Sequence, residues 1–389
     1  MGRRSNFSPE WTDYNERVQV QTYDVTPLVP RGVNAMAATL SNGWYAGRLG
    51  LAPAPGRCFY GTHAKLFAEL KIERTDGTRQ IVATDVMWWT SQDGPIRAND
   101  LLDEEVYDAR KAISGWDQPG YDDSTWSPAY VSLGESRRLV WQPNEQVRIV
   151  KEIKPISQAE RRPGVCVFDL GQNIAGKVRM RLGGRESTTV VLRHAERLKA
   201  DETIYTANLR GASQRDVCIS NGRSIVFEPQ FTYHGFRYVE VSGLEKPPAL
   251  TDIVGLVFHS ASPVTGQFRC SNPLVERVMR NVLWSQRGNM MSVVTDCPQR
   301  DERLGWMGDS QVFAQTSCFN MDMASFFTKS LRDVGDAQAD DGRLPDFALH
   351  PYGQEGIFYG SPGGADGGVL ASMASLPEIC RHSDFGRAL

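Results

Sequence analysis

Residues 296–309 read Asp-Cys-Pro-Gln-Arg-Asp-Glu-Arg-Leu-Gly-Trp-Met-Gly-Asp. The run sets four carboxylates (Asp296, Asp301, Glu302, Asp309), two arginines (Arg300, Arg303) and Trp306 between two apolar segments of helical pattern. Such a density of charge is costly to bury unless the groups are paired or put to use. Cleavage of a glycosidic bond is one chemistry it suits. One acid protonates the departing oxygen, other carboxylates hold hydroxyls, and an indole face packs on the sugar ring. The competing reading is a solvated charged loop, and Pro298, Leu304, Gly305 and Trp306 do not fit it.

The chain that must position these groups has 389 residues, enough for two to four domains with sizeable cores. Its composition, 41% hydrophobic and 23% charged, excludes wholesale disorder. A net charge of −3 argues against nucleic acid or an anionic membrane as the main partner. No apolar run approaches the roughly 18–20 residues of a membrane helix. The start, Met1-Gly-Arg-Arg, is basic but lacks the apolar stretch of a secretory signal, which implies a cytoplasmic location. Seven scattered cysteines without a Cys-x-x-Cys pair read as reduced thiols, and six dispersed histidines give no metal cluster. Asp103-Glu-Glu105 with Asp108 sets a solvated turn against a structural calcium site, and no other cofactor is expected.

Up to about residue 260 the text is β. Runs such as Val18–Tyr23, Leu66–Ile72 and Ile81–Thr84 are punctuated by Asn42-Gly43, Asp76-Gly77 and Pro119-Gly120. Polar text at 135–162 separates this series from a second one, Val165–Phe168, Lys177–Leu182, Thr189–Leu192, Ser224–Phe227 and Tyr238–Val241. Alternation in Lys177–Leu182 is a half-buried strand pattern. Two β-sandwiches in series follow, at 1–135 and 140–262. The period changes after Phe268. Asn272-Pro273 marks a helix start, with Leu274, Val278, Val282 and Leu283 on one stripe that ends near Met291. Asp309 is placed to cap a second helix carrying Val312, Phe313, Ala314 and Phe319. Asp322 is placed to cap a third with Ala324, Phe326, Phe327 and Leu331. Successive capped helices suggest helical hairpins over 268–389. His234, in a strand-like aromatic segment, reads as a satisfied structural histidine.

The run at 296–309 also resembles the signature of bacterial α-L-rhamnosidases. The resemblance continues through Asp333–Gln338, Gly342–Asp346 and Tyr359–Pro362, and upstream through Ser8–Tyr14, Gly43–Gly47, Tyr107–Arg110 and Phe231–Tyr238. It implies two N-terminal β-sandwich domains followed by the first part of an (α/α)6 barrel. It also implies inverting hydrolysis of terminal α-L-rhamnose from a rhamnose-containing carbohydrate. Glu302 matches the family's proton donor. Asp296, Arg300, Trp306 and Asp309 match positions that line the sugar pocket, and Asp346 and Asp366 are weaker matches. The structural alternative for Glu302 is an ion pair with Arg300 or Arg303; for Asp309 it is the helix cap.

Two departures accompany the resemblance. An inverting enzyme needs a second carboxylate as base, and in the family that group lies downstream of residue 389. A twelve-helix barrel also needs roughly 300 residues at ordinary helix lengths, so the chain is expected to be a fragment lacking both ends. Where family members read Ser-Pro-Gly-Trp-Ala-Asp, this chain has Ser361-Pro-Gly-Gly-Ala-Asp366, and the likeness fades over 365–389. A carbohydrate-binding fragment without catalysis and an α/α-barrel glycosidase for another sugar are the alternative functions.

Overall fold

The computed structural model describes residues 7–51, 56–132 and 137–353, so Asp366 and the segments 359–362 and 365–389 lie outside the described residues. The first region is built from small paired units. Arg17–Val20 runs parallel to Arg138–Trp141. Glu69–Glu73 and Arg79–Ala83 form a hairpin closed at Asp76-Gly77, where Gly77 takes a positive φ of 81° and Asp76 Oδ1 accepts the Thr78 N–H at 2.8 Å.

Ten strands make the principal sheet: β1 (Ile96–Asn99), β2 (Glu104–Asp108), β3 (Val147–Ile153), β4 (Ser157–Arg162), β5 (Val165–Leu182), β6 (Glu186–Ala195), β7 (Arg215–Asn221), β8 (Ile225–Phe227), β9 (His234–Ser242) and β10 (Ile253–Ser260). Its order is β1-β2-β7-β6-β9-β5-β10-β3, with β4 and β8 also on β5. Only β2 against β7 is parallel within it. The sheet therefore takes strands from both sides of the 135–140 boundary expected from the sequence. The register of β5 shifts between Asp169 and Ile174, so its first half pairs with β4 and the 238–242 stretch of β9, and its second with the 234–236 stretch of β9 and with β10. Val178, Met180 and Leu182 point inward beside Phe168, Leu192, Phe236 and Val239. Each fully buried side chain of this size contributes about 1.5–3 kcal/mol. Lys177 breaks the alternation: it is buried too, paired with Glu228 at 3.2 Å.

Among the described residues three helices follow: α1 (Pro273–Asn289), α2 (Met307–Asn320) and α3 (Ala324–Asp336). Asn272 caps α1 through its Oδ1, which accepts the N–H groups of Leu274 and Val275. Asp322 Oδ1 receives the Ala324 N–H at 3.2 Å. Asp309 is not a cap. The helix begins two residues earlier, after Trp306, which leaves Asp309 exposed in the first turn, where a carboxylate still complements the helix dipole. Helix faces differ from the expected stripes as well. Leu274 and Val278 of α1 and Val312 and Phe319 of α2 are exposed, while small residues, Ser310, Ala314 and Ser317, face inward from α2. α3 does bury its Phe326, Phe327 and Leu331.

An aromatic cluster joins the three regions. Trp11, Trp44 and Tyr60 from the first meet Phe258 of β10 and Leu304, Phe347 and Leu349 from the helical part. A buried charge network runs beside it. Asp333 of α3 holds Arg17 at 2.7 Å and Lys329 at 2.7 Å, and Lys329 Nζ also donates to the Trp11 carbonyl. Removing one partner of a buried pair strands the others without water, at about 3–5 kcal/mol. Asp333→Ala should lower stability by that order in equilibrium urea unfolding. A loss under about 1 kcal/mol would show that the network is not desolvated.

Candidate active site

The run at 296–306 has no regular secondary structure. It leaves a short antiparallel pair, Met290–Met291 with Val293–Val294, and enters α2 through Trp306. Its shape is held by what lies on either side. Gly305 and Trp306 pair with Phe347 and Ala348, and a Cβ on Gly305 would stand 1.9 Å from the Ala348 carbonyl oxygen, so no larger residue fits. On the opposite side Gly235 of β9 lies against Pro298 and Gln299, again with no room for a side chain, and Gln214 Nε2 donates to the Gln299 carbonyl.

Glu302 is the centre of the arrangement. Only 3% of its side chain is exposed. Its Oε1 accepts the indole N–H of Trp306. Its Oε2 meets Arg300 Nη2 at 3.2 Å and Nε at 3.3 Å, and the Cys297 thiol donates to it at 3.3 Å. Arg300 Nη2 also binds Asp296 Oδ2 at 2.8 Å. Burial, followed by the Asp296 carboxylate beside it, raises the Glu302 pKa to about 7, and the donors from Trp306 and Cys297 only partly oppose this. Burial likewise pushes Asp296 up, but the protons of Glu302, Cys297 and Arg300 outweigh it and hold Asp296 below the usual carboxylate range. Two neighbouring carboxyls thus part in acidity, one kept protonated near neutrality and the other ionised. That division is what an acid–base site requires. Burial also keeps the Cys297 thiol protonated, as a donor rather than a nucleophile.

Of the residues expected at the site, Asp296, Arg300, Glu302 and Trp306 come together. Asp346 is brought alongside, buried, with its carbonyl accepting the Met307 N–H at 2.9 Å. Asp309 is exposed one turn along α2. The structural partner of Glu302 is Arg300, not Arg303. Arg303, at a positive φ of 58°, turns away, donates to the carbonyls of Leu101 and Tyr233 at 2.6 and 2.9 Å and lies 4.3 Å over the Tyr233 ring. Between these groups and Trp44 is a cavity of about 10 Å³ that Glu302 also lines, room for about one water. Cys297 was not singled out by residue type. Arg210 was missed altogether: it ion-pairs with Asp301 at 2.7 Å from 91 residues away.

The acidic group at 103–108 does not converge on one point. Asp103 pairs with Arg48 and Arg57, Glu104 with Arg215 and Asp108 with Arg110. Glu105 is buried and accepts the N–H groups of Gln230 and Phe231. His234 is only half satisfied: its Nε2 pairs with Asp216 Oδ2 at 2.9 Å, its buried Nδ1 has no hydrogen-bond partner among the described residues, and its ring stacks on His194 with centroids 4.2 Å apart and planes 21° apart. Near-parallel rings at that separation cannot both point lone pairs at one ion roughly 2.0–2.1 Å away, so this buried trio reads as a packed polar core. His194, neutral because burial lowers its pKa to about 3, belongs to that core.

Glu302, Asp296, Arg300 and Trp306 thus form one cluster of paired groups on a β-supported helical frame. Comparison with known proteins identifies the frame. Residues 3–151 match the α-L-rhamnosidase N-terminal domain, 159–259 the bacterial α-L-rhamnosidase concanavalin-like domain and 263–373 the bacterial α-L-rhamnosidase six-hairpin glycosidase domain. An α-L-rhamnosidase of Streptomyces avermitilis is 46% identical over 89% of this chain. The solved structure of α-L-rhamnosidase from that organism, complexed with L-rhamnose, aligns over 93% of the chain and 35% of its own, with TM-score 0.87 and 43% identity. That from Dictyoglumus thermophilum aligns over 97% of this chain and 40% of its own, with TM-score 0.85 and 35% identity. The chain belongs to the α-L-rhamnosidase family, glycoside hydrolase family 78. It spans about a third of the length of the curated relatives it matches; for the Streptomyces protein the share is 33%.

The raised pKa of Glu302 has a sign that can be tested. Its folded-state value, about 7, exceeds the ordinary 4.5. The stability its proton contributes is therefore full below about pH 4.5 and is lost as pH rises through 7. Glu302→Gln does not titrate, so its stability relative to the parent should increase between pH 5 and pH 8 in urea unfolding. A relative decrease over that window would mean that the carboxylate, not the acid, is the form the site stabilises.

Proposed function

We propose that this chain forms the proton-donating half of a site that hydrolyses terminal α-L-rhamnosides with inversion, Glu302 acting as general acid. The observation that carries the reading is the buried Glu302 carboxyl, held protonated near neutrality between Asp296, Arg300 and Trp306. Such an acid can deliver its proton to the glycosidic oxygen as the bond breaks, which is worth roughly 10²–10⁴-fold. Asp296 and Arg300 accept from and donate to ring hydroxyls, and Trp306 offers its indole to the sugar face. Asp309, Asp346 and Asp366 are the further pocket residues. That the Streptomyces relative was solved with L-rhamnose supports the substrate class. The base, a second carboxylate some 6.5–9.5 Å away in an inverting site, is the one the family carries downstream of the segment matched here. A cytoplasmic location remains part of this reading.

Two measurements test it. The 389-residue chain should turn over nitrophenyl α-L-rhamnoside at least about a thousandfold less efficiently than a relative with the whole barrel, since one of two acid–base groups is supplied from elsewhere; turnover at ordinary enzyme rates contradicts the division of labour. In the chain joined to a complete barrel, Glu302→Gln should cut kcat by several orders of magnitude on rhamnosyl sugars, whose alkoxide cannot leave unprotonated, and visibly less on nitrophenyl rhamnoside. Equal losses on both would remove Glu302 from the acid role. Rhamnose binding without turnover in that complete form would favour a sugar-binding module instead.

A further inference from the structure

The turn after Leu209 reaches the catalytic run from the concanavalin-like domain. Arg210 sits at a positive φ of 54°, an unfavourable conformation for a side chain with a Cβ, and this aims its guanidinium at Asp301 and Glu302. Its Nε meets Asp301 Oδ1 at 2.7 Å, and its Nη2 stands 4.0 Å from Glu302 Oε2. The next residue, Gly211, donates its N–H to Asp301 Oδ2 at 2.9 Å. From the N-terminal domain, Arg48 Nη2 reaches the same oxygen at 3.4 Å, while its Nη1 binds the Gly211 carbonyl at 2.8 Å and Asp103 at 3.1 Å. All three domains therefore meet at one carboxylate, adjacent in sequence to the proton donor and only 16% exposed.

We propose that Asp301 is a positioning residue: its carboxylate latches the catalytic run to Arg210, Gly211 and Arg48 and so keeps Glu302 buried and protonated. The proposal rests on the reading of Glu302 as the acid and explains why two β-domains accompany it. The charges facing Glu302 are Asp296 and Arg300 from its own run, with the Cys297 thiol, Arg210 from the β-domain turn, and Arg48 and Arg303 across the small cavity it lines; Trp306 covers its other oxygen. Releasing the latch acts in one direction through each of them. A loosened run lets water reach Glu302, a freed Arg210 can approach Oε2, and loss of Asp301 removes a neighbouring negative charge; each favours the charged form.

The test is an infrared titration of the Glu302 carboxyl band in the full 389-residue chain, isolated by subtracting Glu302→Gln. In Asp301→Ala the midpoint should fall by at least about one unit, a tenfold loss of proton affinity. Gly211→Ala is the cleaner second variant. Its new Cβ would lie 2.6 Å from Arg48 Nη2 and Asp301 Oδ2, mobile side-chain ends, so it separates the latch without removing a charge. It should shift the midpoint the same way with the circular dichroism and thermal midpoint of the parent. If folded Gly211→Ala keeps the parent's Glu302 midpoint, or raises it, Asp301 is a structural ion pair only and the proposal falls. Rhamnose binding by the chain joined to a complete barrel, followed by calorimetry, separates the two ideas: no binding there with a shifted midpoint overturns the functional reading and leaves the latch, and binding with an unshifted midpoint does the reverse.

Discussion

The cluster at 296–306 depends on keeping one carboxyl group, that of Glu302, out of water. Glu302 sits in a run with no helix or strand of its own, so no ladder of backbone hydrogen bonds fixes it. Tertiary contacts must supply the rigidity instead. They come from three directions: Phe347 and Ala348 beside Trp306 and Gly305, Gln214 and Gly235 against Gln299, and Arg303 donating back to Leu101 and Tyr233. Two of these seats are glycines because backbone must approach backbone more closely than any Cβ allows. A carboxyl whose acidity is set mainly by burial depends on those walls, since access of solvent favours its charged form.

The N-terminal segment has the same task one layer further out. Trp11 stacks on Trp44 with ring planes 11° apart, and its backbone is tied to Ser292 and Lys329. Glu10, fully buried, accepts the Val147 N–H and an Asn144 amide proton at 2.7 Å each. The segment thus threads between the sheet and α3, which makes the first region part of the wall behind the charged run at 296–306 rather than an appendage. Arg17 and Asp333 complete the seam, and their mutual attraction in a dry interior offsets a desolvation cost that neither could meet alone.

How far this was legible in the sequence depends on range. Local rules held where local physics decides. Asn272-Pro273 did start a helix, the Val178/Met180/Leu182 alternation did mark a buried strand face, and Asp296, Arg300, Glu302 and Trp306 of the charged run did come together, because they are near one another in the chain. Asp309 was misjudged because Trp306, tied to Phe347, ends the irregular run early and lets α2 start before the carboxylate. The stripes on α1 and α2 misled for another reason. An apolar residue signals a face that wants cover, and Leu274, Val312 and Phe319 are exposed in this arrangement, so pattern alone could not say where the cover lies. Arg210 and Arg48 gave no signal, since nothing in residue type reveals which surface arginine folding brings to which aspartate.

The division of acidity within the run also shows why its composition is as it is. Arg300 alone would force Glu302 to ionise, because a guanidinium within 3.3 Å favours the charged form. Asp296 takes up that charge at 2.8 Å, leaving Glu302 to respond mainly to burial. Cys297 fits between them as a small donor that burial keeps protonated. A third carboxylate there would add repulsion. Asp301, next in sequence to Glu302 but turned toward Arg210, keeps its own negative charge matched by two arginines. One carboxylate of the run therefore neutralises Arg300, one anchors the run, and the third is free to hold a proton.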